Sequence, residues 1–162
     1  MRFKMLRTAL TTALLVLACL GSPAFADGGV RKSRGQVVYV PVYSNVFSGD
    51  RAMPFNLAVM LSLRNLDRQQ KLEVLSIDYY DSDGRFLNKY LDKPLVLGPL
   101  DSDHVFIKES DESGGFGASF IVRWKAAGEI NAPIFESVMI GARSGQGISF
   151  IRAGQVLEEF SE

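Results

Sequence analysis

A short polar segment, Asp101-Ser102-Asp103-His104, contains every side-chain type of a serine hydrolase triad. A triad is normally assembled from distant segments, because neighbours in a turn point in different directions. His104 is the only histidine in the chain, so any Ser–His catalysis would have to use it. We expect instead a solvated turn, with His104 on the polar face of the following strand. A single histidine also disfavours zinc and copper sites, which need several imidazole or thiolate ligands.

A second acidic group, formed by Asp78, Asp81 and Asp83 with Gly84, has some features of a calcium-binding loop. Such a loop needs further acidic ligands at fixed spacing. Counted from Asp81, the fifth position is Arg85, so the spacing fails. The segment therefore predicts a tight hairpin turn, in which aspartates accept local backbone hydrogen bonds and glycine takes positive φ. A weak divalent-cation site is the alternative.

The glycine-rich segment Ser113–Ala118 (SGGFGA) could suggest a phosphate-binding loop. Phosphate cradles precede a helix, whose N-terminus supplies the favourable field. Here the pattern after the glycines is that of a strand. The segment therefore predicts either a flexible turn or a close backbone approach, and we expect no cofactor.

Aromatic and charged residues cluster around one predicted hairpin. Alternation places Tyr79 on the apolar face with Leu75 and Ile77, which turns Tyr80 outward. An exposed aromatic side chain beside charges is a plausible partner contact, although a cross-strand pair that stabilises the sheet is the alternative. The predicted partner-binding residues are Tyr80, Asp81, Asp83, Tyr90, Asp92 and Lys93.

The first 26 residues have the layout of an export signal. Three basic residues precede the apolar run Ala9–Leu20, and Ala24-Phe25-Ala26 forms a cleavage site with small residues. The run is shorter than the roughly 20 residues that a spanning helix needs. Cleavage after Ala26 predicts a periplasmic or extracellular protein. The alternative is cleavage before Cys19 in the lipobox-like Val16–Cys19, which predicts a lipid-anchored protein.

Charge and cysteine content narrow the classes of protein to which the chain can belong. Without the signal, 15 basic residues face 18 acidic ones, a net charge of −3, which disfavours a nucleic-acid binder. Cys19 is the only cysteine, so the fold uses no disulfide. We expect a flexible lead at 27–35, a single domain at 36–157 and a C-terminal tail at 158–162.

Strand patterns dominate the predicted domain. Phe55–Asn65 alternates with one apolar face, and Leu72–Tyr80 changes phase between Val74 and Leu75, which predicts a bulge. Gln36–Tyr43 contains Pro41 and predicts an edge strand, while Val156–Phe160 is the only segment that could be helical. We expect an all-β, antiparallel, Ig-like β-sandwich of about seven to nine strands without a disulfide.

Several segments together resemble the bacterial exported family of unknown function DUF3124. The resemblance implies an exported or lipoprotein-type bacterial protein and supplies no catalytic residues. The segments that carry it are YVPVYS (39–44), PFNLAVMLSLRN (54–65), DYYDSDG (78–84), YLDKP (90–94), SGGFGASFIVRWK (113–125), VMIG (138–141) and QGISF (146–150).

The absence of a convincing catalytic constellation favours a binding or assembly module of the cell envelope, whose partner would be an envelope protein or a glycan. The predicted edge at Val38–Val42 could accept an added strand. One alternative is a small-ligand or metal-ion carrier. Another is a glycan hydrolase, which would need two carboxylates held across a cleft and could draw only on Asp78, Asp81, Asp83 and Asp92.

Overall fold

The computed structural model describes residues 31–143 and 145–160. The predicted signal, Cys19 and residues 27–30 of the predicted lead lie outside them. The described residues form twelve strands: β1 (Lys32–Val42), β2 (Asn45–Ser48), β3 (Met53–Asn56), β4 (Ala58–Arg64), β5 (Leu72–Tyr80), β6 (Phe86–Lys89), β7 (Leu95–Leu97), β8 (Ser102–Ile107), β9 (Ala118–Asn131), β10 (Ile134–Arg143), β11 (Gln146–Ala153) and β12 (Gln155–Glu159). In the described part, no helix is long and apolar enough to cross a membrane.

The strands form two antiparallel sheets and a small hairpin. The larger sheet has the order β12-β1-β9-β5-β6, with β7 also paired to β5, and the smaller sheet has the order β11-β10-β4-β8. The hairpin consists of β2 and β3. The predicted all-β antiparallel sandwich is confirmed. The strand count is higher than predicted, partly because the alternating segment 55–65 is divided at Leu57, which bonds to Ser44 O instead of a ladder partner.

The inner faces of both sheets supply one core. The predicted apolar face of β3 and β4 is buried, and so is that of β9, where Trp124 is fully buried in the middle of the larger sheet. The predicted bulge in β5 is confirmed by a register shift against β9 between Val74 and Ser76. The buried side chains of these strands include Phe55, Leu57, Val59, Leu61, Leu63, Leu72, Val74, Ile77, Phe120, Val122 and Trp124.

The prediction of an edge strand at Gln36–Tyr43 is wrong. β1 lies between β12 and β9, and β12 covers the first part of the edge proposed at Val38–Val42 by pairing with Val38 and Tyr39. β12 pairs only with residues 36 to 39, and Pro41 lies beyond its end. Proline is tolerated there because no β12 residue pairs with it, so its missing N–H breaks no ladder bond; its carbonyl instead accepts a hydrogen bond from Ser137 Oγ of β10.

The C-terminal segment, the only one that could have been helical by its pattern, is a strand. Its docking depends on Glu159, whose carboxylate accepts hydrogen bonds from Arg31 (2.6 Å), Ser33 (2.6 Å) and Gln36 (2.7 Å). Gln36 Oε1 in turn accepts a hydrogen bond from Trp124 Nε1 at 3.3 Å. We call Arg31, Ser33, Gln36, Trp124 and Glu159 the C-terminal clasp.

The clasp explains why the sheet extends beyond the predicted domain at both ends. β1 begins at Lys32, inside the predicted flexible lead 27–35, and β12 continues to Glu159, inside the predicted tail 158–162. Periodicity of apolar residues could not show this, because the contacts that hold these ends are polar side chains on segments far apart in sequence.

Candidate functional site

The turn at Asp81–Gly84 is a hairpin turn, as predicted. Asp81 Oδ1 accepts hydrogen bonds from the backbone N–H groups of Asp83 (2.9 Å) and Arg85 (2.8 Å), and Gly84 has a φ of 76°. Asp83 pairs with the Arg85 guanidinium at 3.0 Å. These carboxylates stabilise the turn and its flank. Within residues 31–143 and 145–160, no group of three or more His, Cys, Asp or Glu residues is placed to hold a metal ion.

The two tyrosines of the predicted partner site lie on opposite faces of the larger sheet. Tyr80 packs edge-to-face on Phe86 at the outer surface, with ring centroids 5.8 Å apart. Tyr90 contacts the core rings of Tyr79 (6.3 Å) and Phe120 (5.7 Å). The structure therefore favours the cross-strand interpretation of Tyr80, and the predicted residues do not form one surface.

The other predicted contact residues, Asp92 and Lys93, are exposed in the connection between β6 and β7. Asp78, on the outer face of β5, accepts a hydrogen bond from Ser76 Oγ at 3.2 Å and lies opposite Lys89. Asp81 already accepts hydrogen bonds within its own turn. The positions of Asp78, Asp81 and Asp92 therefore do not favour a pair of carboxylates acting across a cleft.

The glycine-rich segment packs against the hairpin turn and against Tyr79. Ser82 Oγ donates to Gly114 O (2.9 Å) and accepts from Gly117 N–H (2.8 Å), while Ser44 Oγ and the Tyr79 hydroxyl are 3.0 Å apart. We call these five residues the loop lock. A Cβ atom on Gly114 would lie 1.9 Å from the Tyr79 hydroxyl oxygen, so the predicted close backbone approach is the correct alternative.

Burial governs the electrostatics of the loop lock. It raises the pKa of the Tyr79 phenol, and the hydrogen bond with Ser44 only partly opposes this rise. Nearby Asp111 adds to the increase, because a phenolate would be repelled by its carboxylate. Tyr79 is therefore a neutral structural hydrogen-bonding group.

His104 lies on the exposed outer face of β8, as predicted for a strand residue after a turn. Its Nδ1 is 3.9 Å from the Asp103 carboxylate, and the side chain is 62% exposed. Ser62 is directly opposite on β4, but its hydroxyl accepts a hydrogen bond from Arg64 Nε at 3.0 Å. These residues line a shallow depression of about 230 Å³ that has no triad geometry.

Tyr90 borders a wider, open cleft of about 480 Å³ beside the loop that follows β8. Burial raises the pKa of Tyr90, a hydrogen bond with Asn88 opposes this, and Asp111 adds to the rise. The cleft presents two aromatic rings beside charges of both signs. It is lined by Tyr90, Phe106, Ile107, Lys108, Ser110, Asp111 and Glu112.

The most distinctive surface is the outer face of the smaller sheet, which the sequence analysis did not identify. Four apolar side chains lie side by side across its four strands in one cross-strand row. Phe106 is 57% exposed and Ile151 is 58% exposed at the two ends, with half-buried side chains between them. We call this set the apolar row: Phe106, Met60, Val138 and Ile151.

A signal for the apolar row was present in the sequence. Phe106 lies between Val105 and Ile107, and Ile151 follows Phe150, so β8 and β11 are apolar on both alternating faces. Strands with this pattern are typical of sheets that are covered on both sides. In the smaller sheet the inner face meets the core, whereas none of the residues that the structure describes covers the outer face.

Comparisons with known proteins identify the family of this chain and no activity. No curated protein matches the chain significantly. A crystal structure of Thermotoga maritima 1070 is similar with a TM-score of 0.46 and 11% sequence identity, over 83% of this chain and 99% of the other. Residues 35–157 match the model of the family described as protein of unknown function (DUF3124), and since this match covers most of the chain, the protein belongs to that family.

Proposed function

We propose that this chain is an exported, non-catalytic binding module of the bacterial cell envelope, which holds a protein partner on the outer face of its smaller sheet. The apolar row is the observation that supports this proposal. Four strands spaced about 4.8 Å apart make the row about 14 Å wide. The adjacent row adds Ala58 and Ile140, and Ile140 is 54% exposed.

An uncovered apolar surface of this kind is costly in water unless a partner covers it. Contiguous exposed apolar patches on monomers are often functional for this reason. Phenylalanine and methionine are enriched in the cores of protein interfaces, where aromatic anchors contribute most to affinity. Phe106 is therefore the expected main anchor.

The other side of the apolar row has the character of an interface rim. His104, Ser62 and Glu136 form the next cross-strand row. Arg64 lies beyond them, bonded to Ser62 and 3.7 Å from the Glu136 carboxylate. A polar rim beside an apolar centre is the usual arrangement of protein interfaces. It favours a protein partner over a purely apolar ligand.

The direct test is site-specific photocrosslinking in the native bacterium. Benzoylphenylalanine is introduced at Phe106 or, as a control, at Phe86; both are phenylalanines with 57% exposure on edge strands, but in opposite sheets. We expect a discrete crosslinked protein from position 106 and none from position 86. No adduct at 106, or the same adduct at both positions, would contradict the proposal.

The same pair of residues allows an affinity measurement once the partner is identified. Phe106→Ala should weaken binding by about 2 kcal/mol, or roughly 30-fold in Kd, because an interface anchor is lost. Phe86→Ala should change Kd less than about twofold. Thermal unfolding of both variants would show whether folding is retained.

Export is tested by the intact mass of the protein after cell fractionation. A mass that begins at Asp27 in the soluble envelope fraction supports simple cleavage. A lipid-modified mass that begins at Cys19 in the membrane fraction supports anchoring. An uncut chain in the cytoplasm would contradict the export part of the proposal.

A small-ligand carrier is the second candidate, and the Tyr90 cleft is the observation that favours it. Aromatic rings beside Asp111 and Lys108 suit a polar ligand such as a short glycan. Titration calorimetry with envelope glycan fragments distinguishes the candidates, since Tyr90→Ala should abolish ligand heat while leaving the protein adduct at position 106 intact.

A further inference from the structure

The lateral edges of the two sheets differ in how well they are protected. β12 lies at one edge of the larger sheet and β6 and β7 share the other, while β11 and β8 lie at the edges of the smaller sheet. An edge strand exposes unpaired backbone N–H and C=O groups to other chains. Proteins usually protect such edges with short strands, bulges, proline or charged residues.

Three of the four edges carry such protection. β6 has only four residues and β7, on the same edge, only three. β12 has a register irregularity opposite Val37 and Val38 and ends with Glu158 and Glu159. β8 carries Asp103 and His104. These features make strand addition unfavourable at each of the three edges.

β11 has none of these features to a comparable degree. It is eight residues long and pairs with β10 over its whole length without a register shift. Its sequence contains no proline, and its only charged residue is Arg152. Ile148, Phe150 and Ile151 make it apolar on both faces. A long, regular and weakly charged edge is suited to accept another strand.

We infer that β11 pairs antiparallel with β11 of a second copy of this chain, around a two-fold axis that passes beside Phe150. Opposed residues in an antiparallel pair point to the same face. A two-fold axis perpendicular to the sheet keeps the outer faces of both copies on one side. The two smaller sheets then join into one continuous eight-stranded sheet.

The charge pattern of β11 favours a second copy as the occupant. In this register Arg152 lies opposite Ile148. The two Arg152 residues are four positions apart, about 14 Å along the strands, which exceeds the Debye length of about 8 to 10 Å. An isologous contact of this kind uses the same seven residues, 147–153, twice, so each copy supplies both donors and acceptors.

Side chains on both faces of the sheet add to this pairing. Phe150, which contacts Tyr43 edge-to-face at 5.5 Å, would meet its own copy on the inner face. Ile151 would lie opposite Ser149, and the two Ile151 side chains would be diagonal neighbours about 7 to 8 Å apart. The dimer therefore joins the two apolar rows into one band of eight side chains.

This inference goes beyond the proposed function and does not depend on it. Pairing involves the backbone edge of β11, whereas the proposed partner site centres on Phe106, on the far edge strand of the same sheet. A failure of dimerisation would therefore leave partner binding testable, and a failure of partner binding would leave the dimer testable.

The first test is sedimentation velocity of the chain as it is purified from the envelope fraction. We expect a concentration-dependent dimer. Ser149→Lys places a charge on the exposed edge and should shift the dimer Kd at least tenfold towards monomer. Ser102→Lys, the same change on the other edge strand of this sheet, should leave the dimer intact.

The second test examines the register with engineered cysteines. Opposed residues in an antiparallel pair have Cα atoms about 4.5 to 5.5 Å apart, within the range for a disulfide. Oxidation of the double variant Ser149→Cys/Ile151→Cys should therefore give a covalent dimer on non-reducing gels. The matched pair His104→Cys/Phe106→Cys on β8 should give no such product.

Two outcomes would overturn the inference. One is a wild-type chain that remains monomeric at all concentrations up to a few hundred micromolar. The other is a dimer that Ser149→Lys leaves unchanged and that gives no specific product from the 149/151 cysteine pair. Circular dichroism of each variant confirms that it is folded before either outcome is accepted.

Discussion

The two ends of β1 are fixed by different kinds of contact. Beyond its C-terminal end, the loop lock joins Ser44, Tyr79 and Ser82 to a glycine-rich segment through neutral groups in a tightly packed space. At its N-terminal end, the C-terminal clasp depends on the Glu159 carboxylate, which is 43% exposed. The loop lock should therefore be sensitive to volume, whereas the clasp should be sensitive to pH and salt.

The largest expected effect is on packing in the loop lock. Gly114→Ala would place a Cβ 1.9 Å from the Tyr79 hydroxyl oxygen and 2.7 Å from Ser44 Oγ. Both groups must move, so we expect a loss of about 3 kcal/mol in the free energy of unfolding, measured with urea. Gly128→Ala is the matched control, because nothing lies within 4 Å of its added Cβ. Equal losses in the two variants would contradict this account.

A smaller effect is expected in the clasp. Burial raises the pKa of Glu159, but hydrogen bonds from Ser33, Gln36 and Arg31 outweigh it and lower the net pKa below the ordinary 4.5. The charged form is therefore favoured by folding. Its contribution to stability is present above pH 4.5 and is lost as the pH falls through the lower folded pKa.

The variant Glu159→Gln measures this contribution. It should reduce the free energy of unfolding by about 1 kcal/mol at neutral pH, because charge-assisted hydrogen bonds are lost in a partly screened position. It should also flatten the acid limb of a stability–pH profile. Glu158→Gln, at the adjacent position of β12, serves as the control. An acid limb that is unchanged in Glu159→Gln would exclude Glu159 as its source.

The smallest expected effect at neutral pH is the loss of the Tyr79 hydroxyl. Tyr79→Phe removes one buried hydrogen bond, with an expected loss of about 0.5 to 1 kcal/mol. Because burial raises the Tyr79 pKa above 10, the wild type should also lose stability as the pH rises from 10 through the folded value. Thermal unfolding between pH 7 and 11 should show this alkaline decline reduced in Tyr79→Phe.

Local patterns were sufficient to predict most of the fold. Alternation identified the buried faces of β4 and β9, and the phase change at Val74 identified the β5 bulge. These features depend on neighbours in sequence, so a single strand carries the information. The hairpin turn at Asp81–Gly84 was predictable for the same reason.

Features that depend on distant segments were not predictable in this way. Pro41 suggested an edge, but whether a strand covers one side of β1 is decided by β12, more than one hundred residues later. Tyr80 and Tyr90 were predicted to share one site because they flank the same turn, yet Tyr80 packs on Phe86 at the outer surface and Tyr90 packs on the core ring of Phe120. The apolar row likewise became visible only with the cross-strand register.

The clasp also determines the order in which the domain can be completed. Gln36 bonds to Trp124 across 88 positions, and Arg31 bonds to Glu159 across 128 positions. Such non-local contacts form slowly, because the entropic cost of closing a long loop comes before the contact can stabilise the chain. When the chain emerges N-terminus first, from a ribosome or a translocation channel, β1 therefore cannot be paired on both sides until β12 has also emerged.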